Sequence, residues 1–167
     1  VNLAASLLFL IGVALIYAAT GTLNMADLAG RLNHISGDGL ILAQIGMTVL
    51  ALAFLAKSAM WPLGFWLPAT YAAASPPVAA MFVLLTKVGI YIVLRLWLLI
   101  FANEPPSGAG FDALLWGGLA TIAFAAIGML ASETPARQAA YSAMVSSGIL
   151  LAIVGSGQSS LVPAALF

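Results

Sequence analysis

Cysteine is missing from all 167 residues. Its absence excludes disulfides, zinc–thiolate sites and iron–sulfur ligation. Histidine occurs once, as His34, which is too few for a histidine metal cluster. No glycine-rich phosphate loop and no nucleophile motif set against a base is found. The local chemistry of an ordinary enzyme is therefore absent, and no cofactor or metal is expected. Charge is scarce as well: only 6% of residues are charged, against about 25% in a soluble domain. Five basic residues balance five acidic ones, so nothing points to nucleic acid or an anionic substrate. What is present is apolar, with 63% hydrophobic residues and a mean hydropathy of +1.14. Such a chain has too little polar surface to face water, and a lipid bilayer is its expected surroundings.

Five hydrophobic stretches stand out, and a bilayer core needs about 20 residues per helix. The expected fold is all-α: a polytopic transmembrane helix bundle of about five full spans, with one proline-broken helix around Lys57–Pro62. The spans are placed at residues 3–19, at 40–60 with a half helix at 64–74, and at 77–101, 112–131 and 137–155. A further helix is expected to open at 161–167. Between the first two spans lies a polar connection with Asp27, Arg31, His34 and Asp38. Thr22 and Asn24 are candidate caps for a short interfacial helix there, which Met25, Leu28, Leu32 and Ile35 make amphipathic. His34 reads as an exposed loop residue. The chain starts Val1-Asn2-Leu3, without a methionine or a basic signal-peptide region, and ends in an apolar run. The expectation is an internal piece of one larger membrane domain. Two arginines on one side and one on the other leave orientation unread.

The only lysines, Lys57 and Lys87, both lie inside these apolar stretches. An ammonium at mid-bilayer costs about 2.5–3.5 kcal/mol even on insertion scales, so intramembrane lysines tend to serve a function. From Leu40 to Tyr71 the sole charge is Lys57. As one straight helix those residues would extend about 48 Å, well past a hydrocarbon core of about 30 Å. Pro62 would also clash with the carbonyl of Ser58, and Pro68 interrupts the run again. A break just after Lys57, at Met60-Trp61-Pro62, removes both difficulties. Broken membrane helices free backbone groups that protein or water must satisfy, and they commonly mark transport sites. The competing reading is a full span followed by an interfacial helix anchored by Trp61 and Trp66.

Lys87 falls about 15 Å into its helix, near mid-membrane, too deep to reach the headgroups easily. Tyr91 and Arg95 follow at i+4 and i+8 on the same face. That stripe should look into protein or water. Arg95, near the helix end beside Trp97, is equally suited to snorkelling. Asp112 suits a helix N-terminus. In the last span Tyr141, Ser142, Ser146, Ser147 and Gly148 form a small, polar face fit for close helix contact, and most of its serines read as packing.

The segment Ala56-Lys57-Ser58-Ala59-Met60-Trp61-Pro62-Leu63-Gly64-Phe65-Trp66-Leu67-Pro68 resembles the middle signature of proton-translocating, antiporter-like membrane subunits. So do Ser75-Pro76-Pro77-Val78-Ala79-Ala80 and Leu84-Leu85-Thr86-Lys87-Val88-Gly89-Ile90-Tyr91, with Leu94-Arg95 after them. That family comprises the D-type subunits of multisubunit Na+/H+ or K+/H+ antiporters (Mrp or Pha) and related membrane-arm subunits of respiratory complex I. The resemblance covers essentially the whole chain. It implies the sixth to tenth helices of a fourteen-helix subunit, with Lys57 on the broken seventh helix and Lys87 on the eighth. In the family such lysines carry protons along a hydrated axis. The partner glutamate of the fifth helix and the charged residue of the twelfth would lie outside this chain. Two departures favour the antiporter branch. Trp66-Leu67-Pro68-Ala69-Thr70-Tyr71 lacks the acid and histidine of complex I members, and Pro135-Ala136-Arg137-Gln138 keeps only Arg137 of an Asp-x-Lys-Arg opening.

The resemblance thus implies a secondary-transporter subunit rather than an enzyme, multi-pass in a bacterial inner membrane. Its partners would be other membrane subunits, the lipid bilayer, protons and a monovalent cation. A lysine with an ordinary pKa near 10.4 holds its proton too tightly at neutral pH, but desolvation and a mobile carboxylate shift such a group in opposite directions. Lys57 and Lys87 are the expected relay, with Thr86 and Tyr91 as hydrogen-bond partners of Lys87 and Arg95 in support. A proton-pumping membrane-arm subunit of an NADH–quinone oxidoreductase and a non-transporting scaffold subunit are the alternatives.

Overall fold

The computed structural model describes residues 1–32, 34–100 and 109–158. The helix opening expected at 161–167 lies outside them. Among the described residues the chain is helical: α1 (Asn2–Thr20), α2 (Met25–Leu32), α3 (Asp38–Lys57), α4 (Trp66–Ala73), α5 (Pro76–Ile100), α6 (Ala109–Leu130) and α7 (Pro135–Gly155), with a single 3-10 turn at Leu63–Phe65. Five of these helices, α1, α3, α5, α6 and α7, are long and apolar enough to cross a membrane.

Local chemistry sets the ends of these helices. Gly21 closes α1 with φ 69, a left-handed conformation that glycine adopts without strain, and its N–H donates to the Tyr17 carbonyl at 2.8 Å. The Arg31 guanidinium donates to the last carbonyl of α1, that of Thr20, at 3.0 Å and so ties α2 to the end of α1. Asn24 caps α2, its Oδ1 accepting from the Ala26 N–H at 3.0 Å. Thr22 does not cap the helix; its hydroxyl accepts from the Asn24 N–H instead. The Asp27 carboxylate accepts a 3.0 Å bond from Arg31 one turn on, which holds that carboxyl below the usual carboxylate range. His34 is exposed in the turn after α2. Pro135 opens α7, where its missing N–H has no intrahelical partner to lose. α6 begins at Ala109, three residues before the expected Asp112, which consequently sits in its first turn.

The spans pack as two antiparallel pairs, α1 with α3 and α6 with α7, and α5 and α4 join the pairs. Glycines let the backbones meet. A Cβ on Gly12 of α1 would lie 2.9 Å from the Gly46 carbonyl oxygen of α3, and one on Gly148 of α7 would lie 2.9 Å from the Gly118 carbonyl oxygen of α6. Such contacts are how helices associate when lipid is as apolar as their side chains. One core cluster, with Met47, Leu50, Val93, Leu96, Leu114 and Leu151, links α3 and α5 to the α6–α7 pair. A second, with Ala59, Leu67, Tyr71, Ala125 and Met144, seats the broken region on α6 and α7. Outside the cores the faces are equally apolar: Leu3, Leu84, Ile127 and Leu130 all point outward. A helix hydrophobic all round belongs in lipid or among other helices.

The tight crossing of α6 and α7 yields a first prediction. Gly148→Ala places a methyl 2.8 Å from Ile122 Cγ1, an overpacking that costs about 1–3 kcal/mol. The unfolding temperature in detergent should fall accordingly, and an unchanged value would contradict this close contact.

Candidate functional site

α3 ends at Lys57, and α4 does not begin until Trp66. Pro62 explains the gap, since its ring excludes a helical carbonyl at Ser58 and it offers no N–H. Across the gap Ala59 is fully buried with φ 60, a left-handed conformation that costs a residue with a Cβ about 1–2 kcal/mol. Gly64 permits the return of the chain, because a Cβ there would strike the Ala59 carbonyl oxygen and Met144 Cε. The helix is thus discontinuous after Lys57, with α3 by itself long enough to cross a membrane. Trp66 turns its indole back onto α3, Nε1 donating to the Ala56 carbonyl at 3.1 Å. Pro68, expected to break the helix a second time, does not: it is the third residue of α4, in the first turn where the N–H has no intrahelical partner.

The freed backbone groups find partners inside the protein. The Ser58 N–H and hydroxyl both donate to the Phe54 carbonyl, at 2.8 and 2.7 Å. The Met60 N–H reaches the Leu55 carbonyl at 3.2 Å. The Trp61 N–H donates at 2.8 Å to the hydroxyl of Thr121, a fully buried residue of α6, and that hydroxyl donates onward to the Gly117 carbonyl at 2.6 Å. The break is thereby fastened to a neighbouring span.

Lys57 is the last residue of α3. The carbonyl end of a helix favours positive charge, by about 0.3–1 kcal/mol for an ordinary site. Its side chain lines a cavity of about 590 Å³ bounded by Phe54 of α3, Trp66 and Tyr71 of α4, and Phe82 and Thr86 of α5, with the start of α1 alongside. Among the described residues the one ion pair is Asp27–Arg31, and no carboxylate reaches Lys57.

Lys87 faces protein rather than lipid. It does not line that cavity. Its ammonium instead crosses to α7, donating to Ser146 Oγ at 2.8 Å, Ser147 Oγ at 3.3 Å and the Ala143 carbonyl at 3.5 Å. Thr86 and Tyr91, expected as its partners, bond elsewhere. The Thr86 hydroxyl donates to the Val83 carbonyl at 2.7 Å. Tyr91 is exposed and accepts from Arg95 Nη1 at 3.4 Å, with the guanidinium carbon 5.8 Å from its ring centroid. Helical spacing puts Lys87, Tyr91 and Arg95 on one stripe, but the long lysine side chain leans off it toward the nearest acceptors. Ser146 and Ser147 read as packing from sequence, because nothing local shows that a lysine 59 residues away points at them. Ser142 is exposed and donates to the Ala139 carbonyl of its own helix at 2.8 Å.

The chain matches a family model described as NADH:quinone oxidoreductase/Mrp antiporter, transmembrane, over residues 1–167. It is 55% identical, over its whole length, to the D-type subunit of a probable K(+)/H(+) antiporter from Rhizobium meliloti (strain 1021), of which it spans 31%. It is 38% identical over 90% of its length to the D-type subunit of the Na(+)/H(+) antiporter from Bacillus subtilis (strain 168), of which it spans 30%. The chain therefore covers under a third of these relatives. Its fold also matches a chain in the solved Mrp complex from Dietzia sp. DQ12-45-1b, with a TM-score of 0.78 and 31% identity, covering 92% of this chain and 28% of that one.

A double-mutant cycle between Lys87→Met and Ser146→Ala should give a coupling of about 0.6–1.7 kcal/mol, the range of interhelical hydrogen bonds in membranes. Unfolding in detergent measures it. Strict additivity would mean that the α7 hydroxyl does not hold the lysine.

Proposed function

Since the chain belongs to the NADH:quinone oxidoreductase/Mrp antiporter transmembrane family, we propose that it is the proton-conducting part of the D-type subunit in a multisubunit monovalent cation/proton antiporter. The observation that carries this reading is the position of Lys57. Its side chain leaves the carbonyl end of a broken helix and faces a cavity of about 590 Å³ between α3, α4 and α5. An ammonium there gains from the helix end without being locked into an ion pair, which is the state a proton carrier needs. Lys57 accepts and releases protons under the control of a carboxylate supplied from beyond this chain. Lys87 takes them next, steadied by the α7 serines. Pro62 holds the break open, and Arg95 with Tyr91 marks the polar end of the α5 stripe.

The assembly is a multi-pass complex in the bacterial plasma membrane, with other membrane subunits as neighbours and Na+ or K+ as the coupled ion. Relatives named as antiporter subunits at 55% and 38% identity favour this branch over a respiratory membrane arm. The absence of the acid and histidine from Trp66–Tyr71 points the same way.

Lys57→Ala in the full-length protein, within its assembled complex, should lower cation-driven proton movement in vesicles by about 10² or more, the contribution of a positioned proton-transfer group. Assembly should persist. Wild-type exchange in that variant would contradict the relay. Lys87→Ala should also impair exchange without preventing assembly.

A further inference from the structure

The backbone N–H groups that follow Lys57 do not all return to α3. Those of Ser58, Ala59 and Met60 reach back to the Phe54, Ala56 and Leu55 carbonyls. The Trp61 N–H is the next in the chain, and it leaves α3 for the Thr121 hydroxyl at 2.8 Å. Pro62 then has no N–H to offer. Thr121 is fully buried, near the middle of α6. Its own proton lies on the Gly117 carbonyl one turn back, at 2.6 Å, so it presents its lone pairs to Trp61. The same stripe of α6 cradles the rest of the break. A Cβ on Gly117 would stand 2.8 Å from Met60 Sδ. The Phe124 ring meets the Phe65 ring edge-on, with centroids 5.1 Å apart, and Ala125 packs in one cluster with Ala59 and Leu67. Gly117, Thr121, Phe124 and Ala125 share one helical face, and of these four Thr121 is the one whose side chain can hydrogen-bond.

We propose that Thr121 is a positioning residue for proton exchange at Lys57, acting through the backbone of Trp61. The proposal rests on the reading of Lys57 as a proton carrier and names what aims its side chain. Thr121 stands off the cavity and takes no proton itself. Between Lys57 and this anchor the chain turns sharply at Ala59, where φ is 60. The direction in which α3 releases Lys57 is therefore set from two sides, by the hydrogen bonds of α3 before the turn and by the α6 anchor after it. A buried N–H without an acceptor is costly inside a membrane domain. Without the hydroxyl, the Trp61 peptide turns to find another acceptor, and the Lys57 end of α3 shifts with it.

The test uses the full-length protein in its complex, reconstituted in vesicles, with exchange in Na+ and in K+ expressed per assembled complex. Thr121→Val keeps the shape and removes the hydroxyl, whereas Thr121→Ser keeps the hydroxyl and loses the methyl. Thr121→Val should slow exchange by about tenfold or more, the effect of one lost hydrogen bond to a buried group. The apparent affinity for the cation should not change, and Thr121→Ser should recover most of the rate. A second readout does not depend on transport. In a Lys57→Cys background, Thr121→Val should slow modification of the position-57 thiol by a charged, membrane-impermeant reagent severalfold, and Thr121→Ser should not. A purely structural role predicts fewer complexes, each with full exchange and an unaltered thiol, and that outcome would overturn the proposal. Equal losses in the serine and valine variants would overturn it too. Should Thr121→Val fail to assemble, Thr121→Ala removes the same hydroxyl with less bulk and decides the matter. Wild-type exchange in Lys57→Ala would remove the proton-carrier reading, whereas unaltered thiol reactivity in Thr121→Val would remove this anchor alone.

Discussion

Inside a hydrocarbon layer a backbone N–H or C=O without a partner costs several kcal/mol, so a helix can break there only where protein or water supplies replacements. The region after Lys57 meets this demand group by group. The Trp66 indole takes the Ala56 carbonyl, the Thr121 hydroxyl takes the Trp61 N–H, and Met60 reaches back to Leu55. Leu67 and Met144, both fully buried, pack the same region against α7. With the break held this firmly, Lys57 can end a helix within the membrane-crossing part of the chain and still face open space.

The two lysines are therefore seated by different means. Lys57 has a helix end behind it and a cavity before it. Lys87 belongs to an unbroken helix and gains its acceptors from a neighbour, where two serines and a carbonyl converge on its ammonium. One arrangement leaves the charge free to change partners; the other fixes it at the α5–α7 contact. The glycines along α6 and α7 keep those helices close and bring the serine-bearing face of α7 within reach of α5.

Much of the architecture is legible in the sequence because membrane length and proline chemistry are strict. A 32-residue apolar run is too long for one span, and Pro62 dictates where it must give way. Pro68 misleads because the sequence does not reveal that a new helix starts two residues before it. The partners of Lys87 are hidden for a related reason. Spacing along α5 reports which residues share a stripe, whereas the partners lie on α7, and only the three-dimensional packing shows that. Tyr71 is visible merely as a departure from a motif. Its stacking on Phe82 and its place on the cavity wall are properties of how α4 folds back. Thr121 gives no local signal at all, since its role depends on a backbone group 60 residues away.

The central claim is that the helix break exposes the Lys57 side chain to water inside the membrane domain. Because residues 1–167 contain no cysteine, a single introduced thiol in this chain can be located unambiguously by peptide mapping. Lys57→Cys in the assembled complex, treated with a charged, membrane-impermeant thiol reagent, should be modified, while Leu10→Cys on the outward face of α1 should not. Failure of the position-57 thiol to react, under conditions that label an exposed loop such as position 34, would contradict the account.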